Sequence, residues 1–170
     1  LPKSGTTSFT QLFGALGLST LHWRDPHGRL AGEVISANKQ AGRPLLSGYE
    51  DIDCFTQMDV CLSAETNYWP QLVDYPQLYV ENPEALFVLN KRDPRAILSS
   101  FKRWCNKGLT FHERLCAFNP ELVGGGDPSD EAFVRMVTQH YTAVESFFCA
   151  RPRAKFETFD IAHDDLGKLS

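Results

Sequence analysis

The chain has 170 residues, 42 % of them hydrophobic and 22 % charged, the make-up of one globular domain with a real core. A net charge of −4 excludes a global basic field for nucleic acid or an anionic membrane, so any anionic ligand must be held by local positive charge. No apolar run approaches the roughly 18 residues of a membrane span and no signal peptide is visible; a cytoplasmic location is expected, with the secretory lumen as the alternative if an anchor was removed.

The first eight residues, Leu1-Pro2-Lys3-Ser4-Gly5-Thr6-Thr7-Ser8, put a lysine, a glycine and a run of hydroxyls directly ahead of an amphipathic segment. Phe9, Leu12, Phe13 and Leu16 recur at helical spacing, and Gly17 follows where helices commonly end. A helix N-terminus offers free backbone N–H groups and a favourable dipole to an anion. The stretch therefore reads as a phosphate or sulfate cradle, or else as an ordinary Ser/Thr cap. Such a loop normally follows a buried strand, so a strand is expected upstream of Leu1.

Leu18–Trp23 reads as a strand and Arg29–Ala41 as a helix ending at Gly42. Pro44–Gly48 reads as a strand of small apolar residues. Tyr49–Asp59 is acidic, with Glu50, Asp51, Asp53 and Asp59. Thr66–Val73 reads as a short helix interrupted by Pro70, and Tyr75–Pro83 as a proline-punctuated loop. Ala85–Asn90 is a continuous apolar run, the mark of a strand buried on both faces. Asp93 can cap and Pro94 can open the helix that carries Ile97, Leu98 and Phe101. Gly108–Asp127, with glycines at 124–126, is the least regular stretch, a mobile loop and a candidate acceptor-side lid. Ser129 or Asp130 caps a helix running to about Ala150, Ala154–Phe159 is the last strand, and helix or loop follows from Asp160.

Strands alternating with helices indicate an α/β fold, a three-layer αβα arrangement around a central parallel sheet. In such a fold ligands bind outside the carboxyl ends of the strands. Arg92 leaves one strand end and Ser100 lies eight residues on, about two helical turns further. A guanidinium grips a phosphate in bidentate fashion, and a hydroxyl can add a bond. Cys54, Cys61, Cys105, Cys116 and Cys149 form no C-x-x-C pair, which argues against zinc and against a full disulfide framework. Reduced, mostly buried thiols are expected, or a Cys105–Cys116 bridge in a secretory setting. No metal site is read.

The common nucleotide-binding loop places its lysine after its second glycine, whereas here Lys3 precedes Gly5, which counts against a phosphate-loop kinase. Pro2-Lys3-Ser4-Gly5-Thr6-Thr7 instead resembles the 5′-phosphosulfate loop of sulfotransferases that use 3′-phosphoadenosine 5′-phosphosulfate (PAPS). Arg92 and Ser100 are similar to that family's 3′-phosphate site. The Asp130–Asp160 stretch, with His140, Val144, Phe147-Phe148 and Phe159-Asp160, looks like its single-domain branch. The resemblance implies one sulfotransferase-like domain over 1–170, with a phosphate-binding loop. It implies PAPS as co-substrate, Lys3, Ser4, Gly5, Thr6, Thr7 and Ser8 on the phosphosulfate, and Arg92 and Ser100 on the 3′-phosphate. It implies transfer to a hydroxyl or amine of a small-molecule, glycan or lipid acceptor. A cofactor-closing Arg/Lys-Gly segment, which many members carry near the C-terminus, is not seen before Ser170.

Sulfuryl transfer resembles phosphoryl transfer, so catalysis rests on positioning and charge stabilisation. Lys3 is the candidate at the leaving oxygen. Asp59 is the first candidate for general base, with Asp51, Asp53 and His22 as rivals; a solvated loop carboxylate is the ordinary alternative for each acid. A non-catalytic binding or scaffold protein on the same fold is the remaining alternative. Trp23, Tyr49, Phe55, Tyr68, Trp69 and Trp104 can line a pocket or form core.

Overall fold

A computed structural model describes residues 1–106, 108–125, 127–165 and 168. Mixed helix and strand divide between two compact units, Leu1–Glu81 and Asn82–Ser170.

In the first unit, helix α1 spans Thr6–Ala15 and starts earlier than its apolar stripe begins, inside the Thr-Thr-Ser run. Phe9 is buried, but Leu16 is 68 % exposed, because the helix ends one residue before it. Gly17, at φ 84, reverses the chain, and the Leu18 N–H reaches back to the Phe13 carbonyl at 3.0 Å, closing the turn as glycine C-caps do. Strand β1 (Thr20–His22) pairs in parallel with β2 (Cys54–Gln57), a strand hidden in the sequence by its acidic flanks. Leu21 is fully buried in this pair.

Helix α2 (Ala31–Gln40) lies against β3 (Val60–Cys61). A Cβ on Gly32 would meet the Val60 backbone nitrogen at 2.6 Å, so the close approach requires glycine. β3 forms an antiparallel pair with β4 (Asn67–Tyr68). The expected strand over Pro44–Gly48 is instead a pair of tight turns. Ser47 and Tyr49 N–H groups bond the Pro44 and Leu46 carbonyls at 3.1 and 3.0 Å, and Asn38 Nδ2 holds the Leu45 and Ser47 carbonyls at 3.0 and 2.9 Å. Proline fixes a turn-compatible φ here and cannot donate to a ladder. Thr66–Val73 is not one helix either: β4 ends it early, and α3 (Pro70–Val73) begins at the proline. The stretch read as a loop at Tyr75–Pro83 holds helix α4 (Tyr75–Glu81). Proline near a helix start is favourable because its missing N–H would be unpaired there anyway.

In the second unit, β5 (Leu86–Lys91) runs parallel to β8 (Lys155–Asp160), in register from Leu86 against Lys155 to Lys91 against Asp160. β5 is not buried throughout: Leu89 is 7 % exposed but Leu86 is 51 % exposed. Helix α5 (Pro94–Arg103) is capped by Asp93, whose carboxylate accepts from the Arg95 and Ala96 N–H groups. A short hairpin, β6 (Cys105–Asn106) and β7 (Leu109–Thr110), leads into α6 (Phe111–Phe118).

The expected irregular loop over Gly108–Asp127 thus contains a helix. It opens on a capping box in which Thr110 and Glu113 bond each other's backbone N–H groups. Gly126 lies outside the described residues, as do Leu166, Gly167, Leu169 and Ser170. Helix α7 (Asp130–Cys149), capped by Ser129, buries Phe133, Val137, Val144 and Phe148. The core is aromatic: Phe101 stacks on Phe111 at 4.5 Å and meets Phe133 edge-on at 5.1 Å. Phe148 stacks on Phe156 at 4.4 Å. All five cysteines are free thiols, so Cys105 and Cys116 are not bridged; Cys61 and Cys116 are buried, while Cys105 and Cys149 are exposed.

Candidate active site

In the first unit the loop ahead of α1 is folded by two left-handed residues, Lys3 at φ 63 and Gly5 at φ 93. Glycine takes that conformation freely, whereas for lysine it stores about 1–3 kcal/mol of strain. Gly5 is the N-cap and no side chain caps the helix. The N–H groups of the first turn therefore remain donors without an internal carbonyl partner. Ser4 is fully buried and its hydroxyl donates to the Leu1 carbonyl within the loop. Thr6 is also buried, whereas Thr7 and Ser8 are exposed on the first turn.

Behind the loop stands Asp59, 1 % exposed. Gln71 Nε2 donates to its Oδ1 at 2.8 Å and Gln57 Nε2 to its Oδ2 at 3.4 Å. Burial pushes the carboxyl up to about 6, against the pull of the Gln71 bond. Burial also lowers the half-buried Lys3 ammonium from its ordinary value, and the Asp59 charge opposes that shift. His22, at the end of β1, places Nε2 at 3.2 Å from Thr6 Oγ1, and Thr6 Oγ1 lies 3.4 Å from Gln57 Oε1. Burial keeps His22 below its usual value, and the Lys3 charge adds to this. Asp59, Gln57, Thr6 and His22 thus form one hydrogen-bonded chain along the back of the loop. Asp51 is exposed, and the exposed Asp53 accepts from the Ser19 N–H at 2.8 Å as a turn residue.

In the second unit Arg92 leaves the end of β5, and its Nη1 donates to Ser100 Oγ on α5 at 3.3 Å. Its backbone is held by Tyr141 of α7, whose hydroxyl accepts from the Arg92 N–H and donates to the Arg92 carbonyl, both at 3.1 Å. Arg103 Nη2 reaches the same Ser100 Oγ at 3.3 Å. Gln57, Gln71, Tyr141 and Arg103 were not singled out by the sequence. Gln57 and Gln71 carry no charge signal, Tyr141 sits on an ordinary helix stripe, and only the i, i+3 spacing of Ser100 and Arg103 was there to be noticed.

Two parallel strand pairs flanked by helices make this an α/β protein. Residues 1–160 match the family model described as a sulfotransferase domain, and the chain belongs to that family, whose chemistry is sulfuryl transfer. A search of curated proteins gave no match, and neither did a search of solved structures. Among the described residues, no helix is long and apolar enough to cross a membrane.

Proposed function

We propose that the chain transfers the sulfuryl group of PAPS to a hydroxyl or amine of a small-molecule, glycan or lipid acceptor. The observation that carries this reading is the Lys3–Ser8 loop: a cation and an uncapped helix N-terminus with a buried carboxyl coupled to that cation. The residues fit a phosphosulfate, because Gly5 brings no Cβ to the approach and the first-turn N–H groups are donors in search of oxygens. The match across both units supports treating 1–170 as one domain with the family's three-layer αβα arrangement, the loop as its phosphate-binding loop, and the nucleotide as ligand.

Lys3 stabilises the negative charge that grows on the bridging oxygen as the S–O bond breaks. The helix N-terminus steadies the non-bridging oxygens. Asp59 takes the proton of the incoming hydroxyl or amine, being ionised above about pH 6, and its charge acts on the Lys3 ammonium. Gln57 and Gln71 fix its rotamer. His22 is neutral at pH 7 and orients Thr6. In the second unit Arg92, with its backbone clasped by Tyr141, meets the 3′-phosphate at the edge of Ser100.

Adenosine 3′,5′-bisphosphate, the nucleotide product, tests this directly by thermal shift. At about 100 times Kd it adds about 2.7 kcal/mol, or roughly 5–10 °C in Tm for a chain of this size. A shift with ATP and none with the bisphosphate sinks the proposal in favour of a kinase-like phosphotransferase. Tight binding without transfer to any of a broad acceptor panel points to a non-catalytic binding protein.

A further inference from the structure

The geometry points to Arg103 as a second guanidinium of the 3′-phosphate site, acting with Arg92 as a two-armed clamp for a phosphate monoester, with Ser100 as their shared spacer. This rests on the sulfotransferase reading above and adds a residue to its nucleotide site.

Ser100 Oγ gives its one proton to the Ala96 carbonyl at 3.1 Å. Its lone pairs then receive Arg92 Nη1 and Arg103 Nη2, each at 3.3 Å. A hydroxyl has one proton and two acceptor positions, so in this arrangement it has no proton left for a phosphate oxygen. Ser100 therefore organises the cations, and the donors offered to an anion come from the two arginines. Arg103 Nη1 is also held by Ser99 Oγ at 2.9 Å, which fixes the fork from the side.

No carboxylate pairs with Arg103 among the described residues. Two half-buried acids on the same unit are engaged elsewhere: Asp130 with Lys102 at 2.5 Å and Glu145 with Lys91 at 2.8 Å. A monoester phosphate, carrying close to two negative charges and three free oxygens, fits two guanidinium forks better than one. Arg103 reaches this point because it lies three residues after Ser100 on α5, on the same helix face. Arg92 arrives from the strand end instead, so the convergence is not a local helical pairing alone.

The test is calorimetric titration of the full chain with adenosine 3′,5′-bisphosphate and with adenosine 5′-phosphate, which differ only in the 3′-phosphate, at one fixed salt concentration. The wild type is expected to prefer the bisphosphate. Arg103→Ala should weaken bisphosphate binding roughly 10- to 100-fold, the range of one lost charged hydrogen-bond pair, and leave 5′-phosphate binding within about twofold. Arg103→Lys should recover only part of the loss, because an ammonium cannot grip in bidentate fashion. Arg103 is exposed, so both variants should fold, and unchanged melting of the free proteins checks this. Wild-type-like bisphosphate binding by Arg103→Ala, or equal weakening of both nucleotides, overturns the assignment while the sulfotransferase reading stands. A wild type that does not distinguish the two nucleotides overturns both.

Discussion

Asp59 is buried between two glutamine amides, and its chemistry follows from that. Burial disfavours the carboxylate, so the folded chain holds the Asp59 proton up to about pH 6, whereas the unfolded chain releases it near 3.9. Between those values the native state binds more protons than the unfolded state, so this group's contribution to stability falls as pH rises. Urea melts of wild type and Asp59→Asn from pH 4 to 7 should show the wild type losing stability relative to the variant across that window. In catalysis the same ionisation acts the other way: transfer should rise with pH through an apparent pKa near 6, and Asp59→Asn should remove that limb along with most of the rate. A second residue-scale prediction concerns Tyr141. Tyr141→Phe removes both bonds to the Arg92 backbone and should cost about 1–3 kcal/mol in chemical denaturation, with weaker bisphosphate binding.

At the scale of elements, α5 depends on its first turn. Asp93→Ala deletes the cap seen by the Arg95 and Ala96 N–H groups and should cost about 1 kcal/mol, visible as a lower urea midpoint with unchanged m-value. Gly32→Ala forces a methyl onto the Val60 backbone, an overpacking expected to cost about 1–3 kcal/mol; wild-type stability in that variant would show that α2 can shift away from β3.

The elements legible in the sequence are those whose signal is local. Asp93-Pro94 announces α5, the Ser129-Asp130 pair announces α7, and the Ala85–Asn90 run announces β5. The missed ones are set by context. Cys54–Gln57 has polar neighbours and becomes a strand because β1 offers a parallel edge. Pro44–Gly48 is apolar, but its backbone groups go to turns and to the Asn38 amide. The glycines and prolines of Gly108–Asp127 masked a helix that its capping box starts. Among the residues of the proposed site, Lys3, Asp59, Arg92 and Ser100 are candidates because charge and motif mark them. Their holders Gln57, Gln71 and Tyr141 are found only once the chain is folded, since neutral polar side chains leave no pattern in a sequence.

For the molecule as a whole, the family match over residues 1–160 and the loop ahead of α1 meet in the proposal that Lys3 and Asp59 carry sulfuryl transfer from PAPS. Radiolabelled PAPS, with a panel of phenols, aliphatic alcohols and amines and with water as the default acceptor, measures that claim. Wild type should release or transfer label, Lys3→Ala should lower kcat by about 10²–10³-fold as expected for loss of one charge-stabilising donor, and Asp59→Asn should lose the limb near pH 6. Turnover that survives in Lys3→Ala at the wild-type rate, or label released equally by wild type and both variants, would contradict the account.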